Sequence, residues 1–356
     1  MKPSRIETIH IRSTRFHVKA SKLLIMDALA NLLDGVRARS AAFCRAVLEP
    51  PWALRIADRA PLALAAAVHG HAWIVPDDAE PLLMRTGDVV VIKGPHPYTV
   101  SDHPETEPSL TLHAGNRLTD ADGRDVTGEL NLGPNTYGHG ADGSAVVASG
   151  TYQVTGDVGA RLLSALPPLV HVPRADARIP ILTMLEQEVA ADEPGQRAVL
   201  DRLLDLTLIA TLRAWFARPD AAAPGWYRAH SDPLVGPALE LIHDDPARPW
   251  TVARLAAATG ASRAAFARRF TDLVGEPPMT YLTGWRITLA ADLLRGTDTT
   301  IDAIARRVGY ANAFALSVAF KRVRGITPRQ HRGQEAGADD GPGQLRLAGT
   351  ARGRTL

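Results

Sequence analysis

The chain has 356 residues, 46% of them hydrophobic and 22% charged, with a formal net charge of +2. That gives room for two or three cores at an ordinary globular composition. No apolar run approaches the roughly 20 residues of a membrane span, so no membrane partner is expected. The single cysteine, Cys44, excludes a disulfide framework and a cysteine-built zinc cluster, and the expected location is cytoplasmic.

Residues 1–20 show no clear period and no apolar signal core, and read as a flexible leader. "KLLIMDALANLLDGV" then spaces its apolar residues like a short helix. From Ala41 to about Tyr152 the pattern changes to short apolar runs broken by Gly, Pro, Asp and His. "FCRAVLE", "WALRI", "LALAAAVHGHAWIV", "PLLMRTGDVVVIKG" and "YTV" predict strands, which suggests an antiparallel barrel or jelly roll. Residues 102–145 are poor in apolar residues, and predict a long excursion between "LTLHAG" and "SAVVASGTYQV".

After Asp157 the pattern is helical. "DVGARLLSALPPLVHV" predicts a short helix ended by Pro167-Pro168. Amphipathic segments follow at Ile179–Ala191 and Gly195–Ala217. The second has a wider apolar surface than one intramolecular face needs, which predicts a homodimer through a helical layer at 173–218. Residues 219–231 read as a linker.

The segment Ser231–Gly333 carries fourteen Lys/Arg against nine Asp/Glu, a net +5, leaving −3 for the rest. A basic module on a slightly acidic body points to nucleic-acid contact at one end. Within it one phrase is written twice. "TVARLAAATGASRAAFARRFTDLVGEPP" aligns with "TIDAIARRVGYANAFALSVAFKRVRGITP", matching Ala256 to Ala305, Gly260 to Gly309, Phe270 to Phe320 and Pro278 to Pro328. Each copy has the grammar of a helix-turn-helix: a Thr N-cap (Thr251, Thr300), a small crossing Ala, a turn Gly, and an apolar pin (Phe266, Leu316). Between them "PMTYLTGWRITLAADLLRG" predicts a rigid helical spacer.

These motifs, "Y-L-x-x-W-R" from Tyr281 and "V-G-Y … F-K-R … G-I-T-P-R-Q" from Val308, resemble the DNA-binding domain of AraC/XylS-family transcription regulators over residues 232–332. The resemblance implies double-stranded promoter DNA as partner, RNA polymerase as a further one if the protein is an activator, and no cofactor. It places first-unit contacts at Ala264, Ala267 and Arg268, with Ser262, Arg263 and Arg269 beside them. Second-unit contacts fall at Ala313, Phe314 and Val318, with Asn312 and Ser317 as polar candidates. Lys321, Arg322 and Arg324 suit the phosphate backbone.

The β-rich region, 21–172, resembles the cupin-type domain of one AraC subgroup through "PPWALRI", "MRTGDVVVIKGPHPYTVSD" and "GTYQVTGDVGARLLSALPPLVHV". The expected fold is thus multidomain α+β: an antiparallel cupin-like barrel with a helical layer, then an all-α tandem helix-turn-helix domain and a disordered tail at 333–356. An unknown small-molecule effector inside the barrel is one expectation. The rival reading is a metal-dependent cupin enzyme, with His69, His71 and His96 as metal candidates. Cys44 is a candidate redox sensor, with Ser149 where relatives carry a second cysteine.

Overall fold

The computed structural model describes residues 36–37, 44–176 (apart from 134, 139, 141–142 and 155), 183–188 (apart from 186) and 193–336 (apart from 219–222). The leader, the helix expected from Lys22 and most of the C-terminal tail lie outside these residues. The N-terminal half contains two sheets. The eight-stranded sheet has the order β11-β12-β2-β13-β4-β7-β14, with β1 beside β13. Its members are β1 (Val36–Arg37), β2 (Cys44–Leu48), β4 (Leu62–His69), β7 (Val89–Lys93), β11 (Asn131–Gly133), β12 (Thr136–Gly138), β13 (Ala145–Val154) and β14 (Leu169–Val172). The six-stranded sheet runs β10-β9-β3-β8-β5-β6. It consists of β3 (Ala53–Ala57), β5 (His71–Pro76), β6 (Leu82–Arg85), β8 (Tyr98–Ser101), β9 (Leu110–His113) and β10 (Arg117–Asp120). Pairing is antiparallel except for β12 with β2 and β3 with β9.

The first sheet is covered on both faces, and β4 shows why its sequence is a continuous apolar run. Ala63, Ala65 and Ala67 join Val90, Ile92 and Val147 against Trp52, Ile56, Ile74 and Met84 of the second sheet. Leu62, Leu64 and Ala66 point the other way, with Val89, Val91, Val170 and Val172, toward the helices. Alternate residues of a strand face opposite sides, so a sheet buried on both needs apolar residues at every position.

Helices α1 (Gly156–Ser164) and α2 (Gln196–Phe216) lie on that second face. Leu200, Leu203, Leu204, Leu208, Leu212 and Phe216 of α2 are buried at helical spacing. Tyr152 Oη donates to the Leu204 carbonyl at 2.8 Å, tying β13 to α2. The part of this wide apolar surface expected to pack on its own domain thus lies against this chain's own sheet. Val199 and Leu206 stay exposed on the outer side.

The C-terminal half comprises α3 (Gly225–Ala229), α4 (Val235–Asp244), α5 (Val252–Ala258), α6 (Arg263–Val274), α7 (Pro278–Gly296), α8 (Ile301–Arg307), α9 (Ala313–Arg324) and α10 (Pro328–Ala336). Four expectations need correction. The excursion between "LTLHAG" and "SAVVASGTYQV" contains three short strands, β10, β11 and β12. "LVHV" after Pro167-Pro168 is strand β14, because it pairs with β7. The stretch expected as a linker holds α3, whose Trp226 packs edge-on to Phe216. And α10 continues into the first residues assigned to the tail. The two halves share one core: the cluster that begins at Leu62 continues through α2 and Trp226 to Phe266, Tyr281 and Trp285.

Candidate nucleic-acid interface

Each helix-turn-helix unit is assembled by the residues its repeat supplies. Thr251 and Thr300 accept from the amides of Arg254 and Ala303, starting α5 and α8. Ala256 and Ala305 are buried at the crossing. Gly260 and Gly309 hold φ of 73° and 91°, the left-handed region glycine enters freely. Ser262 and Asn312 cap the second helices, accepting from Ala265 N and Ala315 N. Phe266 with Phe270, and Leu316 with Phe320, bury the inner faces of α6 and α9 one turn apart.

The spacer α7 serves both units with different ends. Tyr281, Leu282 and Trp285 enter the first core, while Ile287, Ala290, Ala291 and Leu294 enter the second. Arg286 of the Trp-Arg pair is structural. Its Nε donates to the Pro246 carbonyl at 2.7 Å and its Nη2 to that of Arg248 at 2.9 Å. Its guanidinium also lies against the Gly309 turn.

The outward faces differ in chemistry. On α6, Arg263, Ala264 and Arg268 are exposed and Ala267 is half-buried. Among the described residues neither Arg263 nor Arg268 has an ion-pair partner. Arg269, by contrast, is turned back onto Asp232, Nη2 to Oδ2 at 2.8 Å. On α9 the exposed residues are Phe314 (78%) and Val318 (55%), with Lys321, Arg322 and Val323 toward the C-terminal end and Ala313 partly covered. The Ser317 hydroxyl donates to the Ala313 carbonyl at 2.7 Å. Ser262, Asn312 and Ser317 thus spend a polar atom each on the helix that carries them. Arg324 is paired with Asp157 of the N-terminal half at 2.5 Å.

The N-terminal half holds an apolar cavity of about 130 Å³ where β2, β3, β9, β10 and β12 converge. Leu48, Trp52, Leu54, Leu110, Leu112 and Leu118 are in its wall, and among the described residues no Asp, Glu, Lys, Arg or His lines it. Asn116 and Tyr137 are among its few polar residues. Sequence reasoning expected an effector inside the barrel but named only Cys44 of this lining, since the lining comes from five strands far apart in the chain and carries no local period. Cys44 is in the wall and pairs in register with Ser149. Burial pushes its thiol up to about 12, far from the thiolate that oxidants attack. His69 and His71 are exposed on either side of the Gly70 turn, and His96 is exposed in the β7–β8 loop. Among the described residues no three His, Cys, Asp or Glu side chains come together as a metal site, and no helix is long and apolar enough to cross a membrane.

Comparisons with known proteins agree with both halves. A cupin family model matches residues 27–217, and a helix-turn-helix domain model matches 255–334. An AraC-like transcription regulator of Streptomyces lividans is 34% identical over 86% of this chain and 98% of its own length. The HTH-type transcriptional regulator AlkR of Acinetobacter baylyi is 28% identical over 87% of this chain and its whole length. Among solved structures, the DNA-binding domain of AdpA in complex with a target DNA is 32% identical. It covers 31% of this chain and all of its own, with a TM-score of 0.30.

Proposed function

The chain belongs to the AraC-type DNA-binding transcription regulators with an N-terminal cupin domain, and from that premise we propose that its two helix-turn-helix units divide the work on promoter DNA. The first reads base edges through Arg268, whose two-donor fork suits guanine, with Arg263 beside it. The second offers Phe314 and Val318, which can touch a thymine methyl but cannot bond a base edge, and holds the backbone through Lys321 and Arg322. The observation that carries this reading is the contrast between exposed Arg268 on α6, without an ion-pair partner among the described residues, and exposed, apolar Phe314 on α9.

The cavity between the sheets is the effector site in this reading, and its chemistry limits what enters. With no charged side chain among the described residues of the wall, a carboxylate or ammonium ligand would find no partner there. Its volume is close to the roughly 150 Å³ apolar cavity that accommodates benzene. The effector is then a neutral, largely apolar molecule of about that size. The domain acts as a sensor and not as an enzyme. A homodimer through the outer side of α2, contact with RNA polymerase at activated promoters and a cytoplasmic location complete the reading.

The deciding experiment is selection of duplexes from a randomised pool by the full chain, at several salt concentrations. A recovered motif whose affinity falls steeply with salt is expected. Recovery of no motif would remove the reading.

A further inference from the structure

Where the two halves meet, one carboxylate gathers the second helix-turn-helix unit. Asp157, at the start of α1, places Oδ1 2.7 Å from Nη2 of Arg295 on α7 and Oδ2 2.5 Å from Nη2 of Arg324 on α9. His331 of α10 is 3.9 Å from Oδ2, and its Nε2 accepts from Arg295 Nε at 3.1 Å. Three helices of the second unit thus converge on one side chain of the N-terminal half, and that side chain is only 13% exposed. Burial pushes the Asp157 carboxyl up, but the two guanidinium groups outweigh it and hold it below the usual carboxylate range.

The contact is reciprocated. Asp292 of α7 accepts from the amides of Asp157 (2.5 Å) and Val158 (3.1 Å), capping α1 from the other half. Gly156 makes that approach feasible: its φ is +76°, and a Cβ there would meet the Asp292 carboxylate at 2.6 Å. Arg161, one turn further along α1, lies over the Tyr281 ring at 5.0 Å. Upstream, α1 follows β13, which pairs with the cavity-wall strand β2.

We propose that Asp157 is an autoinhibitory latch: its carboxylate occupies Arg324, a cation of the second recognition helix that duplex phosphate would otherwise claim, so full docking of that helix on DNA requires the Asp157 contacts to open. The proposal rests on the reading of the C-terminal end of α9 as a backbone clamp. Asp157 Oδ2 offers the Arg324 guanidinium an anionic oxygen, as a phosphate would, and both neutralises its charge and holds it against α1. Binding of DNA and docking of α1 are then thermodynamically opposed, each weakening the other by the same factor.

The test uses the full chain and a mixed-sequence duplex, with affinity measured across a salt series. Asp157→Asn and Gly156→Ala should each bind more tightly than wild type, because neither has a latch to open. Arg324→Ala should cost little in the wild-type background and cancel the gain in Asp157→Asn. Arg322→Ala, outside the latch, should weaken binding equally in both backgrounds. In wild type, excess duplex should speed hydrogen exchange at the amides of Asp157 and Val158, a measurement that needs no variant to fold. No gain in either variant, an equal cost of Arg324→Ala in both backgrounds, or unchanged exchange would overturn the latch. If Arg322→Ala also has no effect, the clamp reading falls with it; if Arg322→Ala does weaken binding, only the latch is lost.

Discussion

Arg269 Nη2 lies 2.8 Å from Asp232 Oδ2, and the other oxygen of Asp232 accepts from the amides of Leu234 and Val235 where α4 begins. One carboxylate therefore caps a helix and holds back one of two neighbouring arginines. Arg268 is left to face outward. Arg268→Ala should reduce discrimination at one or two base pairs by about 1–3 kcal/mol. Arg269→Ala should leave the selected motif unchanged and cost stability of about 1 kcal/mol, since the guanidinium is half-exposed and Asp232 keeps its two amide donors. Selected-motif logos and denaturation midpoints of the two variants check this. A motif altered by Arg269→Ala and not by Arg268→Ala would reverse the assignment.

Sequence information should be concentrated in the half-site under α6. Phe314→Ala is expected to relax a preference for thymine at one position, with no gain elsewhere. Arg322→Ala should weaken all duplexes nearly equally and flatten the salt slope by about 0.9. Randomised-site selection with wild type and both variants decides it. Equal information in the two half-sites would count against the division of labour.

The two turn glycines look equivalent in the repeat but differ in their surroundings. A Cβ on Gly260 meets nothing within 4 Å, whereas one on Gly309 would meet the Arg286 guanidinium at 2.7 Å and the Ala247 Cα at 2.9 Å. Gly260→Ala should cost about 1–2 kcal/mol for the left-handed backbone alone. Gly309→Ala should cost more, because Arg286 must also leave the loop carbonyls it bonds. Comparing urea midpoints of the two variants tests the order.

His243 is buried, with Nε2 2.8 Å from the Tyr281 hydroxyl and its ring stacked on Trp285. Burial, with the Arg161 charge nearby, lowers its pKa to about 3. The unfolded chain binds this proton below about pH 6.5 and the folded chain does not, so stability falls as pH drops through that window toward 3. The slope is about 1.4 kcal/mol per pH unit, or about 2 kcal/mol between pH 6.5 and 5. His243→Gln should lose that part of the slope. Identical acid profiles for wild type and variant would show that His243 titrates normally.

Filling the cavity should separate sensing from folding. Ala46→Phe places a ring in the wall of a 130 Å³ space, at an overpacking cost of about 1–3 kcal/mol. Benzene-sized neutral compounds should raise the melting temperature of wild type and not of the variant, and benzoate should do neither. Stabilisation by benzoate equal to that by the neutral compound would refute the assigned chemistry.

The local parts of the DNA-binding half were legible in the sequence because a helix-turn-helix is specified by residues close together in the chain. Thr251, Gly260, Phe266 and their repeat partners each act within a turn or two of themselves. The strands up to Tyr98 were legible as short apolar runs, although "LALAAAVHGHAWIV" and "PLLMRTGDVVVIKG", each read as one run, fold as two strands apiece. What the sequence did not disclose depends on partners far along the chain. "LVHV" is a strand only because β7 lies beside it, and α3, within the expected linker, is held where Trp226 meets Phe216. Arg268 and Arg269 are adjacent and chemically identical, yet Asp232, thirty-seven residues from Arg269, separates their roles. Arg324 reads as one more basic residue of a DNA-binding helix until the fold places Asp157 against it. Periodicity and capping report on neighbours within a few residues, whereas the pairing of charges and the closing of a cavity are settled by which distant surfaces the shared core brings together.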